Sequence, residues 1–216
     1  MFDASLPFLI DLAENNDRDW LLANKNRQKE AQEEFKEFVR SLYAGLLTFD
    51  SSLEGQDPVK SIFRIYRDVR FSKDKRPYKT NFGVFLKKGG KKSPYSGYYF
   101  HLEPKKSFIA GGIYMPPNDV LKKIREEIDY NPEEVKNLLS GKFKKLFGVM
   151  EGDSLKRPPR GYTEDHPMID LIKHKSFLMM HQVDDAQLKR KSMLTDALKV
   201  YEAMKLWNNF INRSLD

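Results

Sequence analysis

The chain has 216 residues, 40% of them hydrophobic and 12% aromatic, enough for a real core and outside the disordered class despite 32% charged residues. It has no cysteine, no apolar run near eighteen residues and no basic-then-apolar N-terminal layout. That excludes disulfides, thiolate metal sites and cysteine nucleophiles, and leads to the expectation of a cytoplasmic protein with no membrane partner. The net charge of +7 is unevenly placed: Ser61–Lys92 carries eleven basic and two acidic residues, a local +9 that leaves the rest of the chain near −2. A patch of one sign repels itself when empty and draws anions in.

Helix signals open the chain. Ser5 reads as an N-cap with Pro7 in the first turn, and Leu6, Phe8, Leu9 and Leu12 supply an apolar face. Asp17 caps a second short helix carrying Trp20 and Leu21. Phe35, Phe38, Val39, Leu42, Tyr43, Leu46 and Leu47 recur at spacings of three and four, the stripe of a longer helix, and Asp50–Pro58 reads as a loop. The middle is rich in β-branched and aromatic residues, and predicts strands at Val59–Phe71, Asn81–Lys87, Gly97–Glu103 and Phe108–Met115. Their short connections make neighbours antiparallel, since a parallel crossover needs a dozen or more residues. Helices begin again at Pro116-Pro117-Asn118 and Asn131-Pro132. A Pro-rich basic loop spans Leu155–Pro167, a short strand Ser176–Gln182, and a last helix starts at Asp184. The expected fold is one α+β domain over residues 1–216: a central antiparallel sheet of four or five strands flanked by N- and C-terminal helices.

Side chains alternate across a strand. In Ser61–Phe71 one face carries Ile62, Arg64, Tyr66, Asp68 and Arg70, an aromatic hydroxyl between guanidinium groups that can grip a phosphate or carboxylate with paired hydrogen bonds. Arg67 interrupts the opposite, apolar face and must find a carboxylate, solvent or a ligand. Tyr99, His101 and Glu103 share a face of the Gly97–Glu103 strand, where Glu103 can orient the imidazole for acid–base work. A lone strand histidine is more commonly structural, and so is an arginine row paired with nearby acids. Gly111-Gly112 points to a bulge or a close backbone approach, with packing against a bulky neighbour as the plainer account. Lys156-Arg157-Pro158-Pro159-Arg160 holds three more bases on two stiff prolines. Asp165 and His166 offer a carboxylate and an imidazole with no third residue at ligand spacing, so no metal site is expected. The phosphate-loop, dinucleotide, nucleophile-elbow and zinc-protease motifs are all missing.

Taken together these segments resemble a conserved uncharacterised family, domain of unknown function 2461. The resemblance covers most of the chain and rests on Phe8-Leu9 with Asn15-Asn16, Arg18, Trp20 and Asn24-Lys25; on Ile62–Lys75 with Pro77-Tyr78-Lys79-Thr80; on Gly97-Tyr98-Tyr99 with His101-Leu102-Glu103-Pro104; on Gly111-Gly112 with Tyr114 and Pro116; and on Leu155–Pro159 with Asp165-His166-Pro167 and Lys175-Ser176-Phe177. It implies no activity. It does suggest that the basic strand, the His-Leu-Glu-Pro segment and the Lys-Arg-Pro-Pro loop belong to one signature.

The leading expectation is a pocket for a phosphorylated or carboxylated small molecule. Arg64, Arg67 and Arg70 bind the anion, Lys79, Lys156 and Arg157 close over it, Tyr66 orients it, and His166 adds a further contact. His101 with Glu103 is the candidate for proton transfer, should chemistry follow. The alternative is a nucleic-acid module, in which basic residues interleaved with Phe63, Tyr66, Phe71, Tyr78, Tyr95 and Tyr98 track a backbone and stack bases. A third reading makes the terminal helices, with Trp20 and Trp207, a protein-docking surface.

Overall fold

Alternating apolar residues make four strands in the computed structural model, which describes residues 1–150 and 152–216. They are β1 (Phe82–Lys87), β2 (Gly97–Leu102), β3 (Ser107–Ile113) and β4 (Phe177–Val183), laid side by side in chain order with every neighbour antiparallel. The helices described are α1 (Ser5–Glu14), α2 (Arg18–Ala23), α3 (Lys25–Leu47), α4 (Asn118–Tyr130), α5 (Pro132–Leu138), α6 (Gly141–Phe147), α7 (Ile169–Ile172), α8 (Asp185–Leu188) and α9 (Met193–Arg213). The fold is α+β, with the central antiparallel sheet expected of the sequence.

One face of the sheet is the core. Val84, Leu86, Tyr98, Phe100, Leu102, Ile109 and Met179 are buried on it. Phe38 of α3 meets Phe100 at 4.6 Å between ring centres, and Phe35 meets Phe82 at 5.3 Å. Burying one such side chain stabilises by about 1.5–3 kcal/mol, so this contact plane is what holds the helices on the sheet. α9 crosses the same face over β3, and Trp207, fully buried, donates its indole N–H to the Phe177 carbonyl at 3.2 Å.

Several local expectations are corrected. The Val59–Phe71 strand is absent as a ladder: Pro58–Ser61 forms a 3-10 turn, the chain pairs with the sheet at the Ile62–Val84 bridge, and it then folds back on itself at Tyr66–Tyr78. Asp68 and Asp74 accept from the backbone N–H groups of Arg70 and Arg76, local bonds that turn the chain where a strand would continue. Ser5 lies inside α1 rather than capping it. The cap is Glu34 of α3, whose carboxylate accepts from Ala4 N–H at 3.1 Å and Ser5 N–H at 2.7 Å. The last helix is two, α8 and α9. Asp184 opens α8 with a capping box to Gln187.

The Gly111-Gly112 pair is explained by packing. A Cβ on Gly111 would stand 2.2 Å from Met204 Cγ of α9. Gly112 has φ +118°, and a Cβ there would stand 1.9 Å from the Phe177 carbonyl oxygen. The close approach is real, but it serves the helix and the neighbouring strand.

Candidate functional site

The second face of the sheet carries Phe85 from β1, Tyr99 and His101 from β2, Phe108 from β3, and Leu178 and Met180 from β4, all half-buried. Period two places Tyr99, His101 and Glu103 in a row, and the row is hydrogen-bonded from end to end. The Tyr99 hydroxyl lies 2.9 Å from His101 Nδ1, His101 Nε2 lies 3.0 Å from Glu103 Oε2, and Thr80 Oγ1 donates to Glu103 Oε1 at 3.2 Å. An ionised Glu103 can only accept, which places the imidazole proton on Nε2 and leaves Nδ1 to accept from Tyr99. Phe108 stacks on the imidazole at 4.6 Å and 14°, fixing the ring plane. Gly83 is required opposite: a Cβ there would stand 2.7 Å from the Tyr99 oxygen. Burial, and then the charge of Glu103, pushes the Tyr99 phenol up to about 12. The row is a polar wire running from Tyr99 to Glu103.

Beside Tyr99 lies Phe63, its ring 6.1 Å away, anchored by Phe63 N–H donating to Gly83 O at 2.9 Å. Two ammonium groups face this ring, Lys79 Nζ at 5.4 Å and Lys91 Nζ at 4.6 Å from its centre. Burial depresses the Lys79 pKa, and the nearby charges of Lys91 and Arg64 depress it further. Among the described residues Arg64, Lys79 and Lys91 make no ion pair with a carboxylate. Lys91 was missed by sequence reasoning. It belongs to the basic segment, but nothing in its spacing shows that the turn at Gly89 and Gly90, both with φ above +70°, swings it back over Phe63.

The other predicted residues are placed elsewhere or are already partnered. Arg67, the cation interrupting an apolar face, finds a carboxylate: Nη1 bonds Asp74 at 2.7 Å. Arg70 grips Asp68 with two bonds of 2.9 and 2.6 Å. Asp74 is held far below the ordinary carboxylate range, chiefly by Arg76 and then by Arg67. Tyr66 is exposed and edge-on to Tyr78 at 5.4 Å. Lys156 and Arg157 are exposed on a loop tied down beside the start of β4, where Leu155 N–H donates to Lys173 O at 2.8 Å and Lys175 N–H to Asp153 O at 2.9 Å. That is the opposite sheet edge from β1, three strands across. His166 uses both nitrogens, Nε2 toward Asp129 at 2.9 Å and Nδ1 accepting from Met168 N–H at 3.1 Å, and so pins its loop to α4.

Surface hollows of about 340 and 470 Å³ are lined by Asp3, Arg27 and Glu34 and by Glu134, Leu206 and Arg213, and one of about 140 Å³ by Phe147 with Leu178 and Met180 of this face. Among the described residues no three His, Asp or Glu side chains are placed to share a metal ion, and no helix is long and apolar enough to cross a membrane.

No curated protein and no solved structure matches the chain significantly. Residues 4–210 match a family described as conserved hypothetical protein, DUF2461, a span that takes in the sheet, the Tyr99–His101–Glu103 row and the basic segment. The chain belongs to the DUF2461 family.

Proposed function

We propose that the second face of the sheet binds a small phosphorylated or carboxylated molecule, its anionic group held by Arg64, Lys79 and Lys91 over Phe63 and its body against Tyr99. The observation that carries this reading is Lys79: a half-buried ammonium beside two more cations, with no acid to meet it. Lys79 and Lys91 share one apolar ring and the Arg64 charge is close enough to act on Lys79, so these like charges repel one another, and a bound anion relieves that repulsion. Arg67 and Arg70, committed to Asp74 and Asp68, stay outside this site. So do Lys156, Arg157 and His166.

The polar row supplies acid–base chemistry next to the anion. Tyr99 accepts a proton from the ligand while passing its own to His101 Nδ1, and the resulting imidazolium is stabilised by Glu103 through Nε2–H. The reverse movement delivers a proton. His101 thus acts through Tyr99, because both of its nitrogens are taken up within the row.

A thermal-shift screen against phosphorylated and carboxylated metabolites, with inorganic phosphate included, tests the reading. Ligands that stabilise the wild type are expected to lose their effect in Lys79→Met. If no anion shifts the transition at low salt, the reading is wrong.

A further inference from the structure

Residues 65–79 make a short arm at the edge of the sheet. Its base is closed by Lys79 N–H donating to Ile65 O at 2.8 Å, by Arg67 N–H donating to Pro77 O at 2.9 Å, and by the Tyr66–Tyr78 bridge. Its end is braced by Asp68 and Asp74, each accepting from a guanidinium and from a backbone N–H two residues on. Lys75 Nζ closes the turn onto the Val69 carbonyl at 3.1 Å. A loop with this many internal bonds is set in shape before any partner arrives.

Phe71 stands at the end of the arm with 95% of its surface exposed. A phenylalanine left in water forgoes the stabilisation of about 1.5–3 kcal/mol that burial would bring, so the fold gains nothing by it. The Arg70 guanidinium carbon lies 5.8 Å from the centre of that ring, and Tyr66 is 56% exposed further down the same arm. Residues 64–79 hold seven basic and two acidic side chains, a net +5.

We infer that this arm grips single-stranded nucleic acid, with Phe71, beside the Arg70 guanidinium, as the platform on which a base stacks, and with Lys73 and Lys75 meeting the neighbouring phosphates. An exposed ring beside a planar guanidinium offers stacking surface to any base, and the surrounding cations match a phosphate backbone. The pre-set loop reduces the entropy lost on binding. An anionic bilayer fits the arm poorly, because Phe71 is followed by Ser72, Lys73 and Asp74 and only one ring would enter the apolar layer. The inference goes beyond the anion site on the sheet and is independent of it: Phe71 and Lys73 have no part in that site.

Fluorescence anisotropy with a labelled oligothymidylate tests it on the full chain. Phe71→Ala is expected to weaken binding by about 5- to 150-fold, the loss of one stacked base, while Phe71→Trp binds at least as well as the wild type. Two phosphate contacts predict a slope of about −1.4 in log K against log salt. Because position 71 lies in solvent, the melting temperatures of both variants should match the wild type. The inference is overturned if the wild type does not bind the oligonucleotide, if Phe71→Ala binds equally well, or if phosphatidylserine vesicles capture the protein through Phe71 and the oligonucleotide does not.

Discussion

Replacing Lys79 by methionine keeps most of the aliphatic stem and removes the charge. In the folded protein that charge is disfavoured, first by burial and then by Lys91 and Arg64. A cation whose folded pKa lies below its unfolded one withdraws stability wherever it is charged, and the loss is relieved only as pH rises past the folded pKa. At pH 7 the neutral variant should therefore be the more stable protein. The ammonium groups of Lys79 and Lys91 lie 5.4 and 4.6 Å from one ring centre, so they are no more than 10 Å apart. Repulsion at that spacing is about 0.4 kcal/mol in water and about 1.7 kcal/mol at an effective dielectric of 20. Lys79 is only half-buried, and solvent screening draws the value toward the lower end. Loss of the contact with Phe63 opposes this by about 0.5 kcal/mol, whereas relief from Arg64 and from desolvation adds to it. The net expectation is a gain of about 0.5–1 kcal/mol at low salt, shrinking as sodium chloride screens the pair. Urea denaturation at low and high salt measures it. A low-salt loss exceeding about 0.5 kcal/mol would show that the Lys79 charge is already satisfied within the fold, and the reasoning behind the anion site would fail.

Gly83→Ala should push the Tyr99 hydroxyl off its place, because the added methyl would stand 2.7 Å from that oxygen; nitrogen-15 NMR of the His101 ring is expected to show Nδ1 losing its hydrogen bond. Gly111→Ala drives a methyl to 2.2 Å from Met204 Cγ and should cost about 1–3 kcal/mol in urea denaturation. The loss should be smaller when the same change is made in a Met204→Ala background, and an additive double variant would show that Met204 is not the obstacle. Tyr99 holds its proton up to about 12, while an unfolded tyrosine releases it near 10. Its contribution is thus complete below pH 10 and disappears as pH climbs to 12, a fall of about 2–3 kcal/mol that should be missing from Tyr99→Phe relative to the wild type.

What sequence could and could not reveal follows from the range of the interactions. The four strands were legible because alternation is a local property of the backbone, and the Tyr99–His101–Glu103 row followed from the same period of two. The Val59–Phe71 segment has that alternation as well, with Arg64, Tyr66, Asp68 and Arg70 exposed on one side. It fails as a strand because Asp68 and Asp74 turn the backbone by local bonds that compete with a ladder. Glu34 as the cap of α1, Met204 against Gly111 and Lys91 over Phe63 are contacts between residues far apart in the chain, and no spacing encodes them. The grouping of the Lys-Arg-Pro-Pro loop with the arginine segment followed from shared charge and from the family resemblance. Topology sets them at opposite edges of the sheet. Composition likewise exposed the basic excess but not its division into arginines neutralised by Asp68 and Asp74 and the trio Arg64, Lys79 and Lys91.

Titration calorimetry of inorganic phosphate and a phosphate monoester into the wild type and into a Lys79→Met, Lys91→Met double variant, at low salt, addresses the anion site most directly. Saturable heat is predicted in the wild type and none in the variant. Equal heat from both proteins, or no heat from the wild type, would contradict a negatively charged ligand on this face of the sheet.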